Sequence, residues 1–210
     1  MHLTRHTFVR GALMAAAAFG ALALAGCGGS KSDASADDMS LGKADAPITL
    51  VEYASVTCTH CAAFNEKVFP TVKEKYIDTG KVHYIYREFL TPPEDVSAAG
   101  VLVARCAGKD KYFEVIDAIM RSQNELFTTG DGKGILKRIA NSAGLSDEAF
   151  AKCVSDPKGL ERIQSNIEKF VKADDVRGTP TLIINGKKFE GDYTDVAAFT
   201  AALDKAPAKK

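Results

Sequence analysis

Val51 to Phe69 reads VEYASVTCTHCAAFNEKVF, an apolar run followed by two cysteines two residues apart and then a change of rhythm. The run PITLVEYAS (Pro47 to Ser55) has the β-branched and aromatic character of a short strand. After Cys58-Thr59-His60-Cys61, the apolar residues Phe64, Val68, Val72 and Tyr76 recur at four-residue steps, which predicts a helix. Pro70 inside that pattern predicts a kink or a restart. KVHYIYREF (Lys81 to Phe89) is a second strand signal, so the order strand, helix, strand predicts a βαβ unit with parallel pairing.

Working outward, Glu94 to Asp175 carries apolar residues at helical spacing, among them Val101, Phe113, Ile116, Met120, Ile135, Ile139, Ile163, Ile167 and Phe170. Four or five short helices are expected there, with Ser146 of GLSDEAF as a helix N-cap. GTPTLIINGKKFEGD (Gly178 to Asp192) predicts a hairpin turning at Asn185-Gly186. YTDVAAFTAALDKA (Tyr193 to Ala206) predicts a closing helix. A Cys-x-x-C pair beside a βαβ pattern reads as a thioredoxin-like redox motif.

Two other uses of the pair are weaker. A structural zinc site needs four Cys or His ligands, often as two close pairs, and only His60 and His83 remain once an amino-terminal leader is removed. No metal site is expected, with transient copper binding by the thiols left open. A disulfide across a four-residue turn closes too small a loop to restrain the unfolded chain much. Exchange chemistry suits the position better. At a strand-to-helix corner the Cys58 sulfur meets unpaired backbone N–H groups and the positive end of the helix dipole, both of which favour thiolate. His60 can add charge or a hydrogen bond, with a solvated helix residue as the plainer alternative, and Thr59 modulates the turn.

The chain has 210 residues, 46% apolar and 26% charged, which suits one domain of ordinary size plus an extra segment. A domain of about 150 residues needs no disulfide merely to fold, so each of the five cysteines requires its own explanation. Arg5 and Arg10 precede an apolar stretch of about 14 residues, too short for a membrane-spanning helix of roughly 20 and arranged like an export signal. Leu24-Ala25-Gly26-Cys27 resembles the lipobox of bacterial lipoproteins, which implies cleavage after residue 26 and acylation of Cys27. TRHTFVR resembles a twin-arginine signal with His6 in place of the second arginine, a departure that favours the general secretory route. Residues 27–43 are Gly, Ser and Asp rich and read as a lipid-anchored flexible tether. Loss of Arg5 and Arg10 leaves 25 Lys plus Arg against 27 Asp plus Glu, so nothing suggests nucleic-acid binding.

From about Ala44 to Ala206 the chain resembles DsbA-like thiol:disulfide oxidoreductases. CTHC, GTPT and the helical insertion carry the resemblance, in that order and spacing; Thr59 stands where the family often has proline. It implies an α/β thioredoxin fold over residues 44–210 with an all-helical insertion at about 92–176. It also implies that Cys58 is the attacking, disulfide-bearing sulfur and Cys61 its buried partner. Thr179 and a cis Pro180 would bind an extended client, and Glu52 would be the buried acid that moves the Cys61 proton. For Cys106 and Cys153, the remaining even pair, a second disulfide is expected, as in some relatives, over two separate buried thiols.

The resulting expectation is a monomeric, cofactor-free enzyme facing the periplasm on a lipid anchor. Its clients would be reduced or unfolded exported proteins, and a membrane redox partner would reset it. Oxidation of clients is the leading direction. A reductase or isomerase is the enzymatic alternative, because threonine before the cis-proline is common in those enzymes. A non-catalytic client-binding or copper-handling lipoprotein is the alternative of another class.

Overall fold

The computed structural model describes residue 2 and residues 35–209. The expected leader over 1–26 apart from His2, the expected lipidation site Cys27 and the expected tether up to residue 34 lie outside the described residues.

The expected βαβ unit forms the centre. Strand β2 (Ile48–Ala54) and strand β3 (Val82–Glu88) pair in parallel from Ile48 opposite Val82 to Ala54 opposite Glu88. Helix α1 (Thr59–Lys67) begins the crossover. Pro70 lies in the first turn of a restarted helix, α2 (Phe69–Val72), where its missing N–H breaks no helical bond. A wider π-helical stretch, Lys73–Ile77, completes the connection.

The hairpin also forms. Strand β4 (Thr181–Ile184) runs antiparallel to β2, and the two-residue strand β5 (Lys187–Lys188) returns along β4. Asn185 and Gly186 both take positive φ, 46° and 79°, as the tight primed turn between twisted strands requires. Asn185 further ties the turn to the sheet, its Oδ1 accepting from the Thr49 N–H at 2.7 Å.

One boundary differs from the sequence reading. Residues 39–41 are not tether: Met39–Leu41 forms an edge strand, β1, antiparallel to β3, and Met39 is buried. Asp38 and Arg87 form an ion pair of 3.1 Å with side chains 3% and 1% exposed. A three-residue strand is too short to show periodicity, and the acid that anchors it finds its partner 49 residues away. The sheet order is therefore β1-β3-β2-β4-β5.

Six helices, rather than four or five, separate β3 from β4 among the described residues. They are α3 (Glu94–Cys106), α4 (Lys109–Arg121), α5 (Gln123–Thr129), α6 (Gly132–Ser142), α7 (Asp147–Val154) and α8 (Pro157–Asp174). The extra element is α5, split from α4 at Ser122, whose hydroxyl bonds back to the Ala118 carbonyl. Ser146 caps α7 by accepting from the Ala149 N–H. Helix α9 (Val196–Asp204) closes the domain, and no described helix is long and apolar enough to cross a membrane.

Alternation along the central strands divides the core. Leu50, Ala54, Tyr84 and Tyr86 face one cluster with Phe64 of α1 and Phe199 of α9. Val51, Tyr53 and Ile85 face the other, covered by Phe170 of α8. On that second face Arg87 stacks on Phe170, 4.0 Å from the ring centre, and pairs with Asp174 at 3.1 Å. Cys106 and Cys153 are joined between the ends of α3 and α7, within the insertion.

Two stability outcomes follow. Replacing Cys106 and Cys153 together by alanine should lower unfolding free energy by about 3 kcal/mol, read by denaturant melts of the oxidised protein. Asp38→Ala, which strips one partner from a buried arginine, should cost about 3 kcal/mol in the same measurement; a loss near zero would mean that β1 contributes nothing to the fold.

Candidate active site

Strand β2 ends at Ala54, and the next four residues turn the chain into α1. Cys58 is the N-cap residue, extended at φ −82° and ψ 115°, and its side chain does what a cap oxygen ordinarily does. Its sulfur accepts the Cys61 N–H at 3.2 Å. The thiol form can also donate to the Thr179 carbonyl, 3.4 Å away. Cys58 is 8% exposed, whereas Cys61, one turn into the helix, is fully buried.

That difference in setting separates the two thiols. The Cys61 thiol hydrogen-bonds the Cys58 sulfur, and the backbone N–H groups of Cys61 and His60 add to it. Together they outweigh partial burial and bring the Cys58 thiol down to about 6. Burial pushes Cys61 far up, and the neighbouring Cys58 and Glu52 charges push it the same way. At neutral pH the reduced site therefore holds one proton on Cys61 and a negative charge on Cys58.

Glu52 lies beneath this pair, on the β2 face that carries Leu50 and Ala54, and is 2% exposed. Burial raises its carboxyl to about 8, the Tyr84 hydrogen bond opposes the rise, and the Cys58 charge adds to it. The Tyr84 hydroxyl donates to Oε2 at 2.6 Å. The other oxygen, Oε1, and the Tyr86 hydroxyl are buried with no protein partner. Both residues line a cavity of about 690 Å³ with Leu41, Phe69, Phe113 and Met120 in its wall and Lys73 and Lys109 among its charged lining residues. A buried acid with a passage of this kind can exchange a proton with solvent.

The second half of the site comes from far along the chain. Thr179-Pro180 is a cis peptide immediately before β4, and antiparallel pairing of β4 with β2 sets it beside Cys58. A shallow cleft lined by Gly178, Thr179, Pro180 and Phe189 adjoins it. Thr59 and His60 are exposed on the first turn of α1. His60 contributes its backbone N–H to the sulfur, while its ring sits edge-on to Tyr193, 6.2 Å between centres.

The structure thus brings Glu52, Cys58, Thr59, His60, Cys61, Thr179 and Pro180 together; Cys106 and Cys153 sit in the insertion. Sequence reading did not find the supports of the turn. The hydroxyls of Ser55, Thr57, Thr91 and Ser97 bond one another at 2.8 to 3.2 Å. Gln123 of α5 reaches the backbone of the same turn. Of these, only Ser55 and Thr57 carried any signal, by lying next to Cys58 in sequence.

A family model described as Thioredoxin matches residues 34–205, a span that includes β1. A Rickettsia bellii protein, provisionally named protein-disulfide oxidoreductase, is 37% identical over 171 residues, covering 81% of this chain and 64% of the relative. The chain spans about three-fifths of the length of the curated relatives of this kind that it matches. The crystal structure of Wolbachia pipientis alpha-DsbA1 is 32% identical with a TM-score of 0.75, covering 82% of this chain and 92% of that one. Oxidised BdbD from Bacillus subtilis shares the fold at 20% identity, with a TM-score of 0.66 over 80% of this chain and 92% of its own. The chain belongs to the thioredoxin family, and its helical insertion and its likeness to alpha-DsbA1 place it among the DsbA-like members.

Proposed function

We propose that the protein is a thiol:disulfide oxidoreductase that passes a Cys58–Cys61 disulfide to exported client proteins. The observation that carries this is the division of the pair: a thiolate-stabilised sulfur near the surface above a buried thiol and a buried acid.

In the oxidised protein, a client thiolate attacks the Cys58 sulfur and breaks the Cys58–Cys61 bond. Cys61 leaves and takes a proton from Glu52, and the client is held on Cys58 as a mixed disulfide. A second client thiolate attacks the client sulfur of that bond and expels Cys58 as thiolate. The client loses two electrons and gains a disulfide, while the enzyme gains both electrons as Cys58 thiolate and Cys61 thiol. Extended client backbone fits the cleft beside Thr179-Pro180, where proline leaves no competing N–H. A membrane redox partner then removes the electrons.

A low Cys58 pKa stabilises the reduced form and so favours oxidation of clients. Thr179 supports a second reading, reduction or isomerisation, because threonine at that position is common in such enzymes. Acylation of Cys27 would hold the domain at a bacterial membrane, facing the periplasm.

Equilibration with glutathione tests the direction. An oxidant is expected near the DsbA value of about −120 mV, and a value near the thioredoxin one, about −270 mV, would sink that reading in favour of reductase. Iodoacetamide trapping should show Cys58 alkylation rising with a midpoint near pH 6 while Cys61 stays protected. Because this pKa lies below that of the unfolded thiol, its stabilisation of the folded reduced protein is complete above about pH 9 and disappears as pH falls through about 6.

Glu52 has the opposite sign. Its carboxyl, raised from 4.5 to about 8, costs stability increasingly as pH rises between those values. Glu52→Gln should therefore be more stable than the parent by about 3 kcal/mol at pH 7 and no different below about pH 4. The same variant should release Cys61 more slowly, seen as a lower rate of client thiol oxidation.

A further inference from the structure

Besides Ser97, the insertion reaches the redox turn through a side chain whose amide hydrogens are both committed. Gln123, the first residue of α5, is 5% exposed. Its amide Nε2 donates to the Val56 carbonyl at 2.8 Å and to the Cys58 carbonyl at 3.1 Å. The Cys58 carbonyl also accepts the Ala62 N–H at 3.1 Å, the first backbone bond of α1. One amide from the insertion therefore clasps the turn on both sides of Thr57 and shares an acceptor with the helix that the Cys58 sulfur caps.

We propose that Gln123 is a positioning residue through which the inserted helices hold the Cys58 sulfur under its converging backbone N–H groups and thereby set the oxidising strength of the pair. The proposal rests on the exchange function above, but its first readout, titration of one sulfur, needs no client.

Two physical effects act in the same direction. The clasp fixes the Val56–Cys58 backbone, and with it the ψ angle that aims the sulfur at the N–H groups of His60 and Cys61. The amide hydrogens also offset the negative ends of two carbonyl dipoles close to that sulfur, where a low dielectric makes them count. The titratable groups facing the sulfur are Cys61 and Glu52 below it, Tyr86 of β3, His60 on its own helix and Tyr193 from the segment before α9. None of these lies on α5, so a change at Gln123 reaches the sulfur only through the backbone it clasps. Gln123 bonds backbone carbonyls and not the sulfur, so it is a positioning residue and not a catalytic one.

The alternative is a purely structural amide that satisfies two buried carbonyls. The two roles separate by redox state, because only the reduced protein carries the Cys58 thiolate. In Gln123→Met, of similar volume but without donors, the Cys58 alkylation midpoint should rise by about one pH unit. The equilibrium constant for reduction by glutathione should fall by up to about tenfold. Thermal unfolding of the reduced form should drop further than that of the oxidised form. In Gln123→Asn the amide is kept but its stem is one methylene shorter, so it no longer reaches both carbonyls and the Cys58 midpoint should again lie above the parent's. Gln123→Asn decides by the same titration if Gln123→Met does not fold. A Cys58 midpoint within about 0.2 unit of the parent's, or equal loss of thermal stability in both redox forms, overturns the proposal. A normal Cys58 titration together with failure to oxidise clients in the parent protein would instead count against the exchange function.

Discussion

One sulfur atom occupies the place where a helix ordinarily takes a cap oxygen, and the rest of the site follows from that constraint. A sulfur at an N-cap faces N–H groups that have no intrahelical partner, and a negative charge satisfies them better than a thiol does. Cys58 meets that requirement through the Cys61 N–H at 3.2 Å, and Cys61, one turn deeper, is left as a thiol in a dry core. The asymmetry of the pair is thus a property of the helix terminus, fixed by where β2 ends and α1 begins.

Holding that terminus is work shared across the molecule. From below, Glu52 and the two tyrosines Tyr84 and Tyr86 place a neutral acid and an open cavity under Cys61. From the side, the Thr179-Pro180 loop is brought in by the pairing of β4 with β2. From above, the insertion supplies Ser97 and Gln123 to the residues between strand and helix. On the far face of the sheet, Arg87 gathers Asp38, Tyr53, Phe170 and Asp174, joining the edge strand, the central strands and the last inserted helix. The strand alternation that puts Glu52 under the cysteines is the same alternation that puts Tyr53 on the Arg87 side.

Much of this was legible beforehand where the signal is local. The four-residue steps from Phe64 to Tyr76, the restart at Pro70, the Asn185-Gly186 turn and the Ser146 cap each depend on a few neighbouring residues. The fold resemblance extended that reach to Thr179-Pro180 and Glu52. What escaped was short or distant. Strand β1 has three residues and an anchor across the sheet, α5 is split from α4 by one serine hydroxyl, and the orphaned Glu52 oxygen depends on the shape of a cavity.

The sequence by itself determined that two cysteines share a strand-to-helix corner and that a helical block interrupts the thioredoxin order, because spacing and periodicity are written along the chain. Only the tertiary structure decided which groups face the Cys58 sulfur and the acid beneath it, and that a glutamine 65 positions away clasps their turn. The reason is physical: backbone periodicity is a property of neighbours in sequence, whereas burial, hydrogen-bond partners and the local field belong to neighbours in space.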